Sequence, residues 1–480
     1  MVGMRLAVNI IGVISTIFLA RLLTPGDFGV VALAGSAYAF FSVLGQMGFD
    51  SALIQHQSPT DEHYNSAWTA NILVGLFVSL MMFVVAKPAA WFFEDARIEY
   101  VVYAFSLLSA AKGFENIGVV NFRKSLKFKG DFLYFVIPKI SGVIVGVTAA
   151  YILRNYWALV IGMVTSQVAT LLYSHFSQPF RPRFSLTKFH ELFGFSRWIL
   201  LTNGMGYISN NGVEVILGKL MDAASVGILG IARQIANLPS QELLAPINRA
   251  LFPGFSSVAD DPPRLKRIIS RVLGVTSMLA IPAAIGIVAL APALVDVVLG
   301  EKWREAAPVL AILGIAGVVT AMRSVLGPVL LARGKPKILT LANGAWMVFV
   351  IPAVLILVPK FGIVGVAYAG LMGPLITMPI LITAVRKDIG FGWLDVGKAA
   401  WRPLFASLVM GAAVYYTEAY LYSAGEIGAL GLIALILLGV LVFAAALWLT
   451  WAACGFPGGA ERELWEQVQT RLRNRRGTVS

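Results

Sequence analysis

Five polar side chains share one face of a predicted helix near the middle of the chain. The stretch TNGMGYISNNGVEVIL, which begins at Thr202, places them at helical spacing. Polar side chains are costly in hydrocarbon, so a stripe of this kind indicates a bundle interior or a water-filled cavity. Amide and hydroxyl groups in such a cavity could exchange hydrogen bonds with sugar hydroxyls. The predicted face consists of Asn203, Tyr207, Asn210, Asn211 and Glu214.

The next segment, IARQIANLPSQELLAPINRA, is more polar still, and two prolines predict a kink or an unwound turn in it. Arginine binds phosphate in a bidentate manner, and few acids compete with it here. We therefore expect Arg233, supported by Arg5, Arg249 or Arg323, to hold an anionic group. The remaining residues that we assign to this predicted cavity are Asn9, Asn237 and Gln241.

Motifs for covalent chemistry or nucleotide binding are missing from the sequence, which has no GxxxxGK[ST], no GxSxG and a single cysteine, Cys454. The four histidines fall in connections or at span ends, where we expect them to be solvated: His56, His63, His175 and His190. A metal site built from the two in one loop is the less favoured interpretation. We predict a protein that is not an enzyme and that needs no cofactor or metal.

The elements that must position these residues are membrane helices. Hydrophobic residues make up 58% of the chain and charged residues 13%, and the mean hydropathy is +0.78. Apolar segments of about 20 residues, the length that crosses a bilayer, follow one another along the chain. The sequence predicts an all-α polytopic membrane protein with about 14 transmembrane helices. The expected spans are 4–23, 28–54, 66–86, 100–120, 131–153, 156–176, 198–218, 225–251, 272–292, 305–331, 338–358, 361–385, 403–422 and 428–453.

Basic residues collect in every second connection and in the tail after the last span. By the positive-inside rule this side is cytoplasmic, and both termini are predicted to lie there. Topology and anionic headgroups therefore explain the net charge of +13, and a nucleic-acid-binding role is disfavoured.

An internal repeat suggests how the spans are arranged. LARLLTPGDFGVVALA, from Leu19, aligns with LGKLMDAASVGILGIA, from Leu217, at a shift of 198 residues. Six helices per copy give both copies the same orientation, as in parallel transporter repeats with a central cavity between two lobes. The predicted divisions are a first lobe at 1–176, a cytoplasmic linker at 177–197, a second lobe at 198–385, two further helices at 386–453 and a basic cytoplasmic tail at 454–480.

The turn in the first copy is a structural motif rather than a ligand site. Pro25 breaks the first helix, and Asp27 is expected to cap the next one at its N-terminus. Arg21 is expected to brace the turn or lie at the interface, and Gly29 belongs to the same motif.

The segment ARLLTPGDFG, together with FRKSLKFKGDF and the tandem lobes, resembles the polysaccharide transporter family, the oligosaccharide flippases of the MOP superfamily. The resemblance implies a flippase that moves undecaprenyl-diphosphate-linked oligosaccharides across the bacterial cytoplasmic membrane by alternating access. It also implies H⁺ or Na⁺ as a coupling ion and polysaccharide assembly proteins as partners. The cavity cations of the related lipid II flippases are not matched residue for residue and are not transferred.

Three other functions stay open. A multidrug and toxin extrusion antiporter should offer carboxylates and aromatics to a cationic drug, whereas this predicted cavity is basic. A polymerase or ligase of lipid-linked sugars should carry a large outer loop, and the outer connections here are short. A scaffold would leave the polar stripe without a purpose.

Overall fold

The computed structural model describes residues 2–45, 49–56, 58–125, 128–191, 211–239, 245–424, 427–459 and 461–462. These ranges contain helices and their connections and no β-strand. The chain divides into two compact units, Met1–Gly230 and Ile231–Ser480. The lobe, linker and tail boundaries expected from the sequence stay predictions.

The first unit begins with a series of helices joined by short turns. They are α1 (Val2–Leu22), α2 (Pro25–Gly45), α3 (Phe49–Gln55), α4 (Asp61–Phe93), α5 (Arg97–Gly113), a 3₁₀ turn (Ile117–Val119), α6 (Val120–Lys124), α7 (Phe128–Leu153), α8 (Trp157–Ser177) and α9 (211–220). The following helix, α10 (Ala223–Leu238), crosses the boundary between the units.

The helices of the second unit are longer and pack around an apolar core that includes Leu265, Val325 and Ile382. They are α11 (Ala245–Ser256), α12 (Pro262–Leu294) with its π-helical extension (Val295–Leu299), a 3₁₀ turn (Glu301–Trp303), α13 (Ala306–Ala332), α14 (Pro336–Phe361), α15 (Ile363–Ile389), α16 (Trp393–Ala424) and α17 (Ala429–Ala453).

Ten helices of the described ranges are long and apolar enough to cross a membrane. Val8–Leu22 and Ala223–Leu238 are shorter apolar helices. The all-helical membrane class is thus confirmed, while the number of 14 spans and their grouping into two six-helix lobes stay predictions.

Several helix boundaries differ from the expected spans; α12 and α16, for example, begin ten residues early, at Pro262 and Trp393. Two of the differences have a clear local cause. Helix α4 begins five residues early, at Asp61, because Thr60 and His63 form a capping box that starts the helix. The span expected at 100–120 ends at Gly113, and Asn116 then starts a 3₁₀ turn by accepting a hydrogen bond from Gly118 N at 2.9 Å. Glu115 is therefore not on the same helix as Lys112.

The turn before α2 is closed by a reciprocal cap between Thr24 and Asp27. The Asp27 carboxylate accepts hydrogen bonds from Thr24 N at 2.9 Å and from Thr24 Oγ1 at 2.6 Å. Thr24 Oγ1 in turn accepts from Asp27 N at 3.3 Å. Asp27 thus takes part in the cap as expected, but from inside the first turn of the helix rather than from the residue before it.

The start of α10 has the same cap with the two side chains exchanged. The Asp222 carboxylate accepts hydrogen bonds from Ser225 N at 2.9 Å and Ser225 Oγ at 2.7 Å. At the repeat shift of 198 residues, Asp222 corresponds to Thr24, and Ser225 corresponds to Asp27. In both turns a hydroxyl donates to a carboxylate across three residues, although the sequences TPGD and DAAS look unrelated.

Helices α2 and α10 also approach each other through two glycines at equivalent repeat positions. A methyl group on Gly29 would overlap the carbonyl of Ala223, and one on Gly227 would overlap the carbonyl of Pro25. Pro25 and Ala223 are themselves equivalent at the same shift. Each copy therefore gives one glycine and one carbonyl to the contact, as a two-fold relationship requires.

Close backbone packing also joins α7 to α8. Gly142 and Gly146 of α7 face Gly162 of α8, and a Cβ on Gly162 would lie 3.0 Å from the carbonyl oxygen of Gly142. Small residues four apart are typical of tight helix pairs in membranes, where dispersion and backbone proximity replace the hydrophobic effect. This pair forms one wall of the cavity described next.

Candidate functional site

The first unit encloses a charged cavity of about 410 Å³. Six helices of that unit contribute to its wall, namely α1, α3, α5, α6, α7 and α8, together with the turn after α5. The lining residues are Val8, Asp50, Lys112, Glu115, Val119, Val120, Arg123, Asp131, Tyr134, Phe135, Pro138, Lys139, Ser166 and Thr170. Three cations and three carboxylates thus line one cavity in an apolar helical unit.

Glu115 is fixed by two hydrogen bonds. Tyr134 OH donates to its Oε2 at 2.7 Å, and Gln167 Nε2 donates to its Oε1 at 2.7 Å. Two neutral donors, one from α7 and one from α8, thus hold the carboxylate. Both oxygens are occupied, so Glu115 is a rigid part of the wall.

Arg123 is also held in place. Its Nε lies 3.2 Å from Asp131 Oδ1, and its guanidinium lies over the ring of Phe135, 5.3 Å from the centroid. Asp131 is buried, whereas the Arg123 side chain is 38% exposed. The outer part of the guanidinium is thus left accessible for a second acceptor.

Among the described residues, neither Lys112 nor Lys139 forms a direct ion pair, although the carboxylates of Asp50 and Glu115 are near enough to interact electrostatically with Lys112. Lys139 lies on α7 with its Nζ 4.0 Å from the position that a Cβ would take on Gly12 of α1. These two lysines are therefore the cationic groups of the cavity that are best able to bind an added anion.

The arrangement suits binding rather than covalent chemistry. Two lysines without ion-pair partners and one arginine can neutralise a diphosphate, since charge-assisted hydrogen bonds to phosphate oxygens are strong. Ser166 and Thr170 add hydroxyl groups to the lining of the cavity.

Those residues of the predicted polar stripes that the structure describes lie outside this cavity. Asn211 and Glu214 are half-buried on α9, and Arg233 and Asn237 are half-buried on α10, while Asn9 is exposed on α1. Those whose position falls outside the described residues are Asn203, Tyr207, Asn210 and Gln241; Arg5 and Arg249 lie on α1 and α11, with side chains outside the description.

Arg323, on α13 of the second unit, donates a hydrogen bond to Asn343 Oδ1 of α14 at 2.9 Å. Arg323 thus joins two helices by a hydrogen bond. Its role in substrate binding is a separate prediction. None of the predicted residues that the structure describes lines the charged cavity. Their assignment to a substrate cavity stays a prediction.

The cavity residues could have been found only in part from sequence. Lys112, Glu115 and Lys139 stand out as charges inside expected spans, but each also has an ordinary explanation. From sequence, Arg123 and Asp131 belong to a basic connection. The ion pair joins residues eight apart, a spacing that leaves no periodic pattern by which it could be predicted. The signal that was available is the segment FRKSLKFKGDF, which contains both.

The motif residues have structural roles here. Asp27 is buried in its cap, Gly29 is buried at the α2 and α10 contact, and Arg21 is exposed at the end of α1. His63 was expected to be solvated, but it is buried because it caps α4.

Comparison with known proteins agrees with the all-helical membrane class. The succinoglycan biosynthesis transport protein ExoT of Rhizobium meliloti (strain 1021) is 26% identical over 413 residues, which cover 83% of this chain and 81% of that protein. The lipid II flippase MurJ, solved in an inward closed conformation, matches 95% of this chain and 100% of its own with a TM-score of 0.77 and 15% identity.

An inward-facing multidrug resistance MATE family transporter of the MOP superfamily is a more distant match. It has a TM-score of 0.63 and 13% identity over 80% of this chain and 94% of its own. At these identities both structures establish a likeness of fold. The model of one family, described as polysaccharide biosynthesis protein, matches residues 18–308. The chain therefore belongs to the polysaccharide biosynthesis protein family.

Proposed function

We propose that the protein is a flippase that moves undecaprenyl-diphosphate-linked oligosaccharide repeat units across the bacterial cytoplasmic membrane. The products would be exopolysaccharide, capsule or O-antigen. Family membership, the named role of ExoT as a transport protein and the fold shared with a lipid II flippase all support this function.

The observation that carries the proposal is the charged cavity within an apolar unit. Lysines without ion-pair partners are expensive in such surroundings, so they need a functional reason. A diphosphate carries the charge opposite to that of the two lysines and is small enough for a cavity of about 410 Å³. Lys112 and Lys139, with Arg123 beside them, would hold the diphosphate while the isoprenoid tail stays in the bilayer.

The transport cycle that fits this function is alternating access of two six-helix lobes. During that cycle the residues of the predicted polar stripes, above all Arg233, would bind the oligosaccharide or the diphosphate at a different stage from the charged cavity. H⁺ or Na⁺ would be the coupling ion, polysaccharide assembly proteins would be partners, and both termini would lie in the cytoplasm. The protein would perform no covalent chemistry.

Complementation tests the proposed function. Bacterial strains that lack their own polysaccharide flippase would receive the wild-type protein, and the polymer made would be quantified. We expect restored polymer in at least one strain, and a loss with Arg233→Ala or Asn210→Ala at equal expression. Failure in every polysaccharide background combined with efflux of cationic dyes would instead support the multidrug antiporter and overturn the flippase.

A further inference from the structure

The segment that follows α8 is fastened to α4 through its backbone. Three side chains near the start of α4 accept hydrogen bonds from N–H groups of this segment. Asn65 Oδ1 accepts from Arg183 at 2.7 Å, Ser66 Oγ from Lys188 at 3.0 Å and Thr69 Oγ1 from Ser185 at 3.0 Å. We call residues 180–191 the strap.

Aromatic contacts hold the strap against the same part of α4. The ring of Phe180 lies 5.5 Å from that of Tyr64, and the ring of Phe184 lies 5.0 Å from that of Trp68. The strap is therefore held against α4 by both hydrogen bonds and aromatic contacts.

The strap ends in a cluster of metal-ligating side chains. His56 follows α3, His63 lies in the first turn of α4, and Glu191 closes the strap; one ligand atom of each lies within 4.8 Å of the others. His63 Nε2 is 3.1 Å from Glu191 Oε2, and the two imidazole rings are 4.6 Å apart. Three separate chain segments thus bring two imidazoles and a carboxylate together.

Partners around the cluster orient its side chains. Thr60 Oγ1 lies 2.8 Å from His63 Nδ1, which turns Nε2 toward Glu191. Lys188 Nζ donates to Glu191 Oε1 at 2.6 Å and leaves Oε2 facing the histidine. Lys124 Nζ donates to the main-chain oxygen of His56 at 2.7 Å. Second partners that fix the tautomer and the ring are typical of metal-binding histidines.

His56 provides an independent observation. Its Nδ1 is buried and has no hydrogen-bond partner among the described residues. An unpaired buried nitrogen is unfavourable, and a bound ion or water at this position would satisfy it. Imidazole and carboxylate together suit Zn²⁺ and similar borderline cations rather than Mg²⁺ or Ca²⁺.

We propose that His56, His63 and Glu191 bind a divalent cation of the Zn²⁺ type, and that the bound ion fastens the strap to α4. A tetrahedral ion with bonds of about 2.0–2.1 Å needs its ligand atoms roughly 3.3 Å apart. His63 Nε2 and Glu191 Oε2 already lie 3.1 Å apart, so the remaining closure requires a rotation of the His56 ring toward them. With Nε2 on the ion, His63 would carry its proton on Nδ1 and donate it to Thr60 Oγ1, in exchange for the hydrogen bond that Nδ1 accepts from Thr60 N at 3.2 Å in the structure. Water would complete the coordination.

Metal titration of the full-length protein, purified in detergent without a histidine tag, tests the site. Zn²⁺ would be followed by calorimetry and Co²⁺ by its visible absorption. We expect one ion per chain, with affinity reduced about tenfold or more in His56→Ala and in Glu191→Gln. His190→Ala, which removes an exposed histidine next to Glu191, is the matched control and should bind as the wild type does. Equal affinity in all four proteins, or no binding at all, would overturn the site.

The fastening role has a separate readout. Trypsin can cleave the strap after Arg183 and Lys188, and peptide mass spectrometry reports the rate at each bond. Zn²⁺ should slow cleavage at both in the wild type and in His190→Ala, but not in Glu191→Gln. If the protein bound Zn²⁺ but cleavage of the strap were not slowed, the proposal that the ion fastens the strap would be overturned. Neither measurement uses a transport substrate, so its outcome is independent of the proposed flippase activity.

Discussion

Gly29 of α2 packs against the carbonyl of Ala223 at the start of α10, with no room for a side chain between them. The equivalent pair at the repeat shift, Gly227 and Pro25, makes the same contact in the opposite direction. The seam between these two helices is thus built from one contact used twice, and both glycines are needed for it.

Alanine at Gly29 or Gly227 should therefore destabilise the protein. Overpacking usually costs about 1–3 kcal/mol, and here the added methyl meets backbone that has little freedom to move. The apparent melting temperature in detergent should fall for both variants. Gly26→Ala and Gly230→Ala are controls on the same two helices, where a methyl meets no atom closer than 3.8 Å. A fall of equal size in variants and controls would contradict the account.

The two helix caps predict a rescue by exchange. Thr24→Ala should cost about 0.5–2 kcal/mol, the usual loss for an N-cap. Thr24→Asp alone places a second carboxylate beside Asp27 and should also destabilise. Combined with Asp27→Ser it recreates the pair found at Asp222 and Ser225, and stability should return. If the double variant melted at a lower temperature than both Thr24→Asp and Asp27→Ser, the two caps would not be equivalent.

The cavity lysines should be needed for transport. Loss of a charge-assisted contact of about 1.5–3 kcal/mol corresponds to roughly ten- to a hundredfold weaker binding. Lys112→Ala and Lys139→Ala should therefore lower polymer production in the complementation assay at equal protein levels. Lys129→Ala, on the exposed first turn of α7, is the control. Full activity of both cavity variants would remove these lysines from the substrate site.

The turn between α4 and α5 predicts a dependence of stability on pH. Burial opposes ionisation of Asp95, but hydrogen bonds from the side chain and backbone of Arg97 outweigh it and lower the pKa of the carboxyl. The stabilisation is therefore present above the unfolded pKa of about 3.9 and is lost as pH falls through the lower folded value.

Asp95→Asn should accordingly reduce stability at pH 7 by at most about 1 kcal/mol, because the pair is partly exposed. The difference in melting temperature between variant and wild type should shrink below about pH 4. A difference that stayed constant with pH would assign the effect to packing of the side chain instead of its charge.

Sequence predicted the membrane class and the motif at the start of α2 because apolar length and Pro-Gly turns are local signals. The cap at Asp222 and Ser225 was missed, since its chemistry is preserved while its residue types are exchanged. The pairing of Tyr134 and Gln167 with Glu115 joins three segments far apart in sequence, so no period in any one helix reveals it. His63 was misassigned because its buried environment comes from a capping box that began α4 early.

Direct translocation measures the central claim. The purified protein would be reconstituted into vesicles that contain an undecaprenyl-diphosphate-linked oligosaccharide, and a sugar-cleaving enzyme added outside would report how much of it becomes accessible. We predict accessibility well beyond half of the total with the wild-type protein, and the protein-free level with the Lys112→Ala, Lys139→Ala double variant. Wild-type vesicles indistinguishable from protein-free vesicles, under conditions in which the same protein restores no polymer in cells, would contradict the account.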